Sequence, residues 1–88
     1  MRVRVRLFAS LREAAGTEIV ELDLPEGATA AEAWHRLAEA HPSLSSRRRS
    51  LAVAVNRRYA RFDEPVAEGD EIVFIPPVSG GAPGRRSG

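Results

Sequence analysis

No cysteine occurs anywhere in the 88 residues. Disulfides, zinc–thiolate sites, iron–sulfur clusters and a cysteine nucleophile are therefore excluded. Lysine is missing as well, since all 13 basic residues are arginine. Schiff-base chemistry has no amine to use, and no internal lysine exists to accept a modification. Histidine is sparse: His35 and His41 are the two present, and neither has companions at metal-ligand spacing. Long apolar runs are absent too. The longest, Leu51–Val55, falls far short of the ~20 residues that a membrane-crossing helix needs. The start, MRVRVRLF, puts arginine at every second position, whereas a signal peptide requires an unbroken apolar stretch. The expected location is the cytoplasm. Neither sign of charge dominates, with 12 acidic residues against the 13 basic ones and a net charge of +1. Such a balance exerts no global pull toward nucleic acid or an anionic membrane, and neither is expected as a partner.

What is present is enough apolar content for a core. Hydrophobic residues make up 43% and charged residues 28%, which places the chain among globular domains rather than disordered ones. The length allows one compact domain. With so few reactive side chains, the search for function turns to the backbone.

Arg2–Phe8 alternates strictly, with Val3, Val5 and Leu7 on one side and Arg2, Arg4, Arg6 and Phe8 on the other. Period two marks a half-buried strand. Ser10–Gly16 reads as a short helical turn ending in glycine, and Glu18–Leu24 as a second strand stopped by Pro25-Glu26-Gly27. Thr29 and Glu32 fit a capping box opening a helix that runs to about His41, where Pro42 closes it. Ala30, Ala33, Trp34, Leu37 and Ala38 share one face of that helix. Ser43–Ser50 reads as a polar loop, Leu51–Val55 as a buried strand, and Asn56-Arg57 as a tight turn. A short strand is expected around Tyr59–Phe62 and a final one over Glu71–Ile75, ended by Pro76-Pro77 because proline cannot donate to a ladder. One helix must then cover one face of a single mixed sheet, with the first and last strands as parallel neighbours at its centre. The expected fold class is α+β, a ubiquitin-like β-grasp.

The most informative segment is FIPPVSGG. Pro76 and Pro77 stiffen the exit from the domain into an extended path. Val78, Ser79, Gly80 and Gly81 follow, and four residues at ~3.3 Å each carry Gly81 ~13 Å beyond Pro77. Two glycines can thread a narrow channel and admit a partner close to the backbone. That is a geometry for presenting a main-chain carboxylate to another enzyme. Taken alone, a Gly-Gly pair is also what a plain flexible tail contains.

Three pieces, VRLFASLREAAG, AVAVNRRYA and AEGDEIVFIPPVSGG, occur in an order and at a spacing that resembles the small, sulfur-carrying subunit of molybdopterin synthase. The resemblance runs from Met1 to Gly81. It implies a non-catalytic subunit that binds no cofactor of its own. An adenylating enzyme related to ubiquitin-activating enzymes would use ATP to convert the Gly81 carboxylate to an acyl-adenylate. A sulfur donor would then leave a thiocarboxylate. Gly80, Ser79, Val78, Pro77 and Pro76 would give that group access to the large subunit of molybdopterin synthase. There the sulfur would attack a cyclic pyranopterin monophosphate, and two rounds would build the dithiolene of molybdopterin. The resemblance also places a hydrophobic partner surface at Phe8, Tyr59 and Ile75, which the alternation puts on the sheet face away from the helix. Two small and two large subunits are expected in the assembly.

Seven residues follow Gly81, namely APGRRSG. An internal glycine has no free carboxylate, so the expected organisation is a β-grasp domain over 1–77, a functional tail over 78–81, and an extension over 82–88 that a processing protease removes. Loss of carrier activity and an artefactual tail are the other two readings.

Trp34 is expected in the core, and His35 and His41 as solvated helix residues. Arg47-Arg48-Arg49 reads as a solvated loop, with docking of an acidic partner as the sharper option. Asp63-Glu64 and Asp70-Glu71 read as turn residues rather than a general acid and base. Other functions open to the same chain are a ubiquitin-like protein modifier, a sulfur carrier for thiamine or tRNA thiolation, and a β-grasp binding module that carries no sulfur.

Overall fold

The alternation in RVRVRL does what the sequence requires of it: Val3, Val5 and Leu7 are fully buried, while Arg4 between them is exposed and Arg6 half-buried. In the computed structural model, which describes residues 1–48 and 50–77, this stretch is β1 (Arg2–Leu7). It is followed by α1 (Ala9–Ala15), β2 (Ile19–Asp23), α2 (Ala30–Ala40), a 3-10 turn (Pro42–Arg47), β3 (Ala52–Val55), β4 (Arg58–Ala60) and β5 (Glu71–Ile75). The sheet order is β2-β1-β5-β3-β4. The pair β1 and β5 runs parallel, with Val5 beside Ile72 and Leu7 beside Phe74, and the other pairings are antiparallel. A parallel pair needs a long crossover, and α2 lies in it, packed on one face. This is the β-grasp arrangement.

Every free amide at the start of α2 has a partner. Ala30 N donates to Glu64 O at 3.1 Å, Ala31 N to Phe62 O at 2.8 Å and Ala33 N to Thr29 O at 3.0 Å. Glu32 N donates to Thr29 Oγ1 at 3.2 Å, and Glu32 Oε1 accepts from Thr29 N at 3.0 Å, completing the capping box. The helix buries Ala30, Ala33, Trp34 and Leu37, with Ala38 half-buried at the margin. Trp34 meets the fully buried Phe74 edge to face, ring centroids 5.0 Å apart. Phe62 lies nearly parallel to Phe74 on another side, at 6.1 Å.

Several expectations need correction, among them the starts of β3, at Ala52 rather than Leu51, and of α1, at Ala9 rather than Ser10. β1 ends at Leu7 rather than Phe8, because Ala9 at φ 52° swings the chain away. β2 spans Ile19–Asp23 and not Glu18–Leu24, although Leu24 N still reaches Met1 O at 2.7 Å. The fourth strand stops at Ala60, two residues short. Glu64 N donates to Arg61 O in a tight turn, and Phe62 leaves the sheet to pack on Phe74. The stretch Ser43–Ser50 is not simply a polar loop. Most of it is the 3-10 turn, whose Leu44 is fully buried and whose Ser43 Oγ donates to Ala14 O at 2.6 Å.

Candidate functional site

Because paired residues share a face of a sheet, the side chains opposite α2 can be read as rows. Asp23 pairs with Arg2, and then Glu21 with Arg4 and Glu71. The third row crosses all five strands as Ile19, Arg6, Val73, Ala54 and Tyr59. One step beyond Leu7 and Phe74 come Phe8 and Ile75. The open face is thus charged at the end where β1 begins and apolar at the end where β5 finishes.

The charged half is a lattice of ion pairs. Arg2 lies 3.3 Å from Asp23 and 3.4 Å from Glu21, Arg4 lies 3.6 Å from Glu21, and Arg6 lies 3.5 Å from Glu71 and 3.9 Å from Glu18. Hydrogen bonding and then charge from Asp23 hold the Arg2 guanidinium pKa above its ordinary value. Pairs this exposed are screened by solvent and contribute little to stability. Their structural effect is to keep half of the sheet wet. The Arg6 Nε atom is buried and makes no hydrogen bond among the described residues, despite its approach to Glu71.

The apolar half is where the residues expected at a partner surface meet. Phe8, Ile75 and Tyr59 line one groove of about 370 Å³, with Val73 and Ala54 between them and Arg6 and Arg57 also in its lining. Phe8 is 44% exposed and Tyr59 78%, so two large aromatic side chains stand open to solvent on this face. Ile75 is half-buried, so it contributes an edge rather than a whole side chain. Sequence reasoning overlooked Ile19, which is 42% exposed in the same row as Arg6; counting by twos from Glu21 would have found it. It also overlooked Arg57, held in the β3–β4 turn with φ 71° after Asn56 at φ 51°.

The chain leaves the sheet beside this groove. β5 has strands on both sides, and Pro76 (half-buried) and Pro77 (exposed) continue directly from Ile75. Val78, Ser79, Gly80 and Gly81, together with 82–88, lie outside the described residues.

The remaining candidates have structural occupations. Trp34 is in the core. His35 lies 3.3 Å from Glu39 on the exposed side of α2. His41 is half-buried at the end of that helix rather than solvated. Arg48 is exposed yet not merely solvated, since its guanidinium lies 3.6 Å from the centre of the Phe62 ring; Arg49 lies outside the described residues. Asp63 pairs with Arg61, Glu64 accepts from Arg61 N, and Asp70 accepts from Ala67 N and Asn56 Nδ2, so all three are turn residues. Glu71 N donates to Asn56 Oδ1. Among the described residues, no group of three or more histidine and carboxylate side chains is placed to hold a metal. No helix among them is long and apolar enough to cross a membrane.

The ThiS family matches residues 5–81, ending on the second glycine of the pair. The chain belongs to that family. Within the ThiS family's relatives, it is 36% identical over 83 residues to the molybdopterin synthase sulfur carrier subunit of Chlamydomonas reinhardtii, covering 92% of this chain and 100% of that one. It is 39% identical over 84 residues to small archaeal modifier protein 1 of Haloferax volcanii, covering 86% and 97%. The crystal structure of that protein, SAMP1, superposes with a TM-score of 0.86 at 37% identity, covering 92% of this chain and 100% of the other. The resemblance carried by VRLFASLREAAG and FIPPVSGG and the β-grasp reading are both borne out.

Proposed function

We propose that this ThiS-family chain is the sulfur-carrying subunit of a molybdopterin synthase and that its working group is the Gly81 carboxylate. The observation that carries the reading is the end of the family match at Gly81, four residues beyond a double proline that leaves the central strand beside an apolar groove. Removal of 82–88 by a protease frees the carboxylate. Its oxygen attacks the α-phosphorus of ATP on an adenylating enzyme, and pyrophosphate departs. Sulfur from a donor then attacks the carbonyl carbon, the bond to AMP breaks, and a thiocarboxylate remains. Activation is needed because a carboxylate is a poor electrophile without a good leaving group. The 78–81 tail enters the large subunit while the Phe8, Tyr59 and Ile75 groove docks against it, and the sulfur is passed to a cyclic pyranopterin monophosphate. The work takes place in the cytoplasm, and the catalytic side chains belong to the partner.

Intact-mass measurement tests this. Residues 1–81, incubated with the adenylating enzyme, ATP and sulfide, should gain the mass of one oxygen-to-sulfur exchange, and the 88-residue chain should not. A 1–81 chain that stays unchanged overturns the reading.

The similarity to an archaeal modifier protein favours a second use of the same terminus, attachment to lysines of other proteins. Its test is a search of digested cell protein for a Gly-Gly remnant on lysine that disappears when this chain is deleted.

A further inference from the structure

The turn that joins β3 to β4 holds two residues, Asn56 at φ 51° and Arg57 at φ 71°. A two-residue hairpin turn with both φ positive favours Asn-Gly, because glycine takes the left-handed region without a Cβ clash. Asn56 fits its place. Its side chain donates to Asp70 at 2.9 Å and accepts from Glu71 N at 3.0 Å. Arg57 stands where glycine is favoured, and nothing in the described fold offsets the strain. Its side chain is exposed and takes no part in the ion pairs or side-chain hydrogen bonds among the described residues. Backbone strain of this kind clusters at sites that use it.

The same side chain carries the uncompensated charge of the groove. Two cations line it, Arg6 and Arg57. Arg6 lies 3.5 Å from Glu71, which lines the groove too, and 3.9 Å from Glu18. Arg57 has no carboxylate at ion-pair distance among the described residues. The groove therefore combines the apolar surface of Phe8, Tyr59 and Ile75 with one unpaired guanidinium. A wholly apolar occupant would strip water from that charge and give it no partner, which is costly. A carboxylate would meet it with two parallel N–H···O bonds, a fork geometry particular to arginine.

We infer that Arg57 selects the occupant of the groove: a segment of the large subunit that lays apolar side chains against Phe8, Tyr59 and Ile75 and sets an aspartate or glutamate carboxylate on the Arg57 guanidinium. The inference rests on the reading that this groove docks the large subunit, and it adds the chemistry of the contact. Apolar area supplies most of the attraction. The ion pair fixes the register of the segment and rejects one that brings a neutral or basic side chain to the same point. The strained turn is then stability given up for recognition.

Calorimetric titration of the large subunit with the full chain tests this. Wild type, Arg57→Gln, Arg57→Lys, Arg57→Gly and Phe8→Arg are compared, and the urea midpoint of each is measured beside its affinity. Arg57→Gln should weaken association about tenfold or more at low salt and should lose much of the salt dependence that wild type shows. Arg57→Lys keeps the charge without the fork and should recover only part of the affinity. Arg57→Gly should bind as weakly as Arg57→Gln while its urea midpoint holds or rises, a split that a merely structural role for Arg57 would not produce. Unchanged affinity in Arg57→Gln beside weakened binding in Phe8→Arg overturns the inference and leaves groove docking in place. Unchanged affinity in both variants overturns the inference and the docking together. Weaker binding that only follows a lowered urea midpoint in Arg57→Gln and Arg57→Gly overturns the inference as well.

Discussion

Tyr59 stands directly opposite Ala54 across the β3–β4 ladder, a large ring facing a single methyl group. Nothing on β3 covers the ring, which is why Tyr59 is 78% exposed and why a groove runs from it toward Phe8. Filling that space from below should therefore mimic an occupant. Ala54→Phe should retain the melting transition and weaken association with the large subunit at least tenfold by calorimetric titration; undiminished affinity would show that the groove is not the docking surface.

Phe8 tests the other end of the groove. It lies just outside β1 and is 44% exposed, so Phe8→Arg should cost less than about 1 kcal/mol in stability. Its effect should appear in binding, measured by co-elution with the large subunit. A variant that melts normally and binds normally would remove Phe8 from the interface.

Phe74 should behave in the opposite manner. It is fully buried between Trp34 and Phe62, and Phe74→Ala deletes the ring that both of them pack on. The expected loss is about 3–5 kcal/mol, comparable to the whole stability of a domain this small. Urea titration followed by Trp34 fluorescence should find little or no folded baseline, while Val73→Ala on the open face of the same strand keeps a clear transition.

Thr29 isolates the helix start. Thr29→Ala removes the acceptor for Glu32 N and should lower the unfolding free energy by about 1 kcal/mol. Thr29→Ser should recover most of it, and an unchanged urea midpoint in the alanine variant would mean that the carbonyls of Phe62 and Glu64 suffice.

Arg57 holds φ 71° in the β3–β4 turn, a conformation that favours glycine. Arg57→Gly should raise stability by about 0.5–1 kcal/mol, after the unfolded-state entropy of glycine is subtracted. A lower urea midpoint would show that the arginine side chain stabilises the turn by more than its backbone strain costs.

Much of this protein was decided locally and was therefore legible in the chain. Period two in RVRVRL set which residues of β1 face inward, the Thr29 and Glu32 spacing set the start of α2, and Pro76-Pro77 set the end of β5. Each depends on residues within a few positions of one another. The string FIPPVSGG likewise pointed to the family, whose match ends at Gly81, without any reference to packing. What only the tertiary structure decided depends on strands distant in sequence. Leu44 is buried because the 3-10 turn packs it into the core, and Phe62 leaves its strand because Phe74 offers it a ring to stack on. The groove exists because Phe8, Ile75 and Tyr59 come from three strands or strand ends that pairing alone brings side by side. Register across a sheet is a long-range property, and no window of sequence contains it.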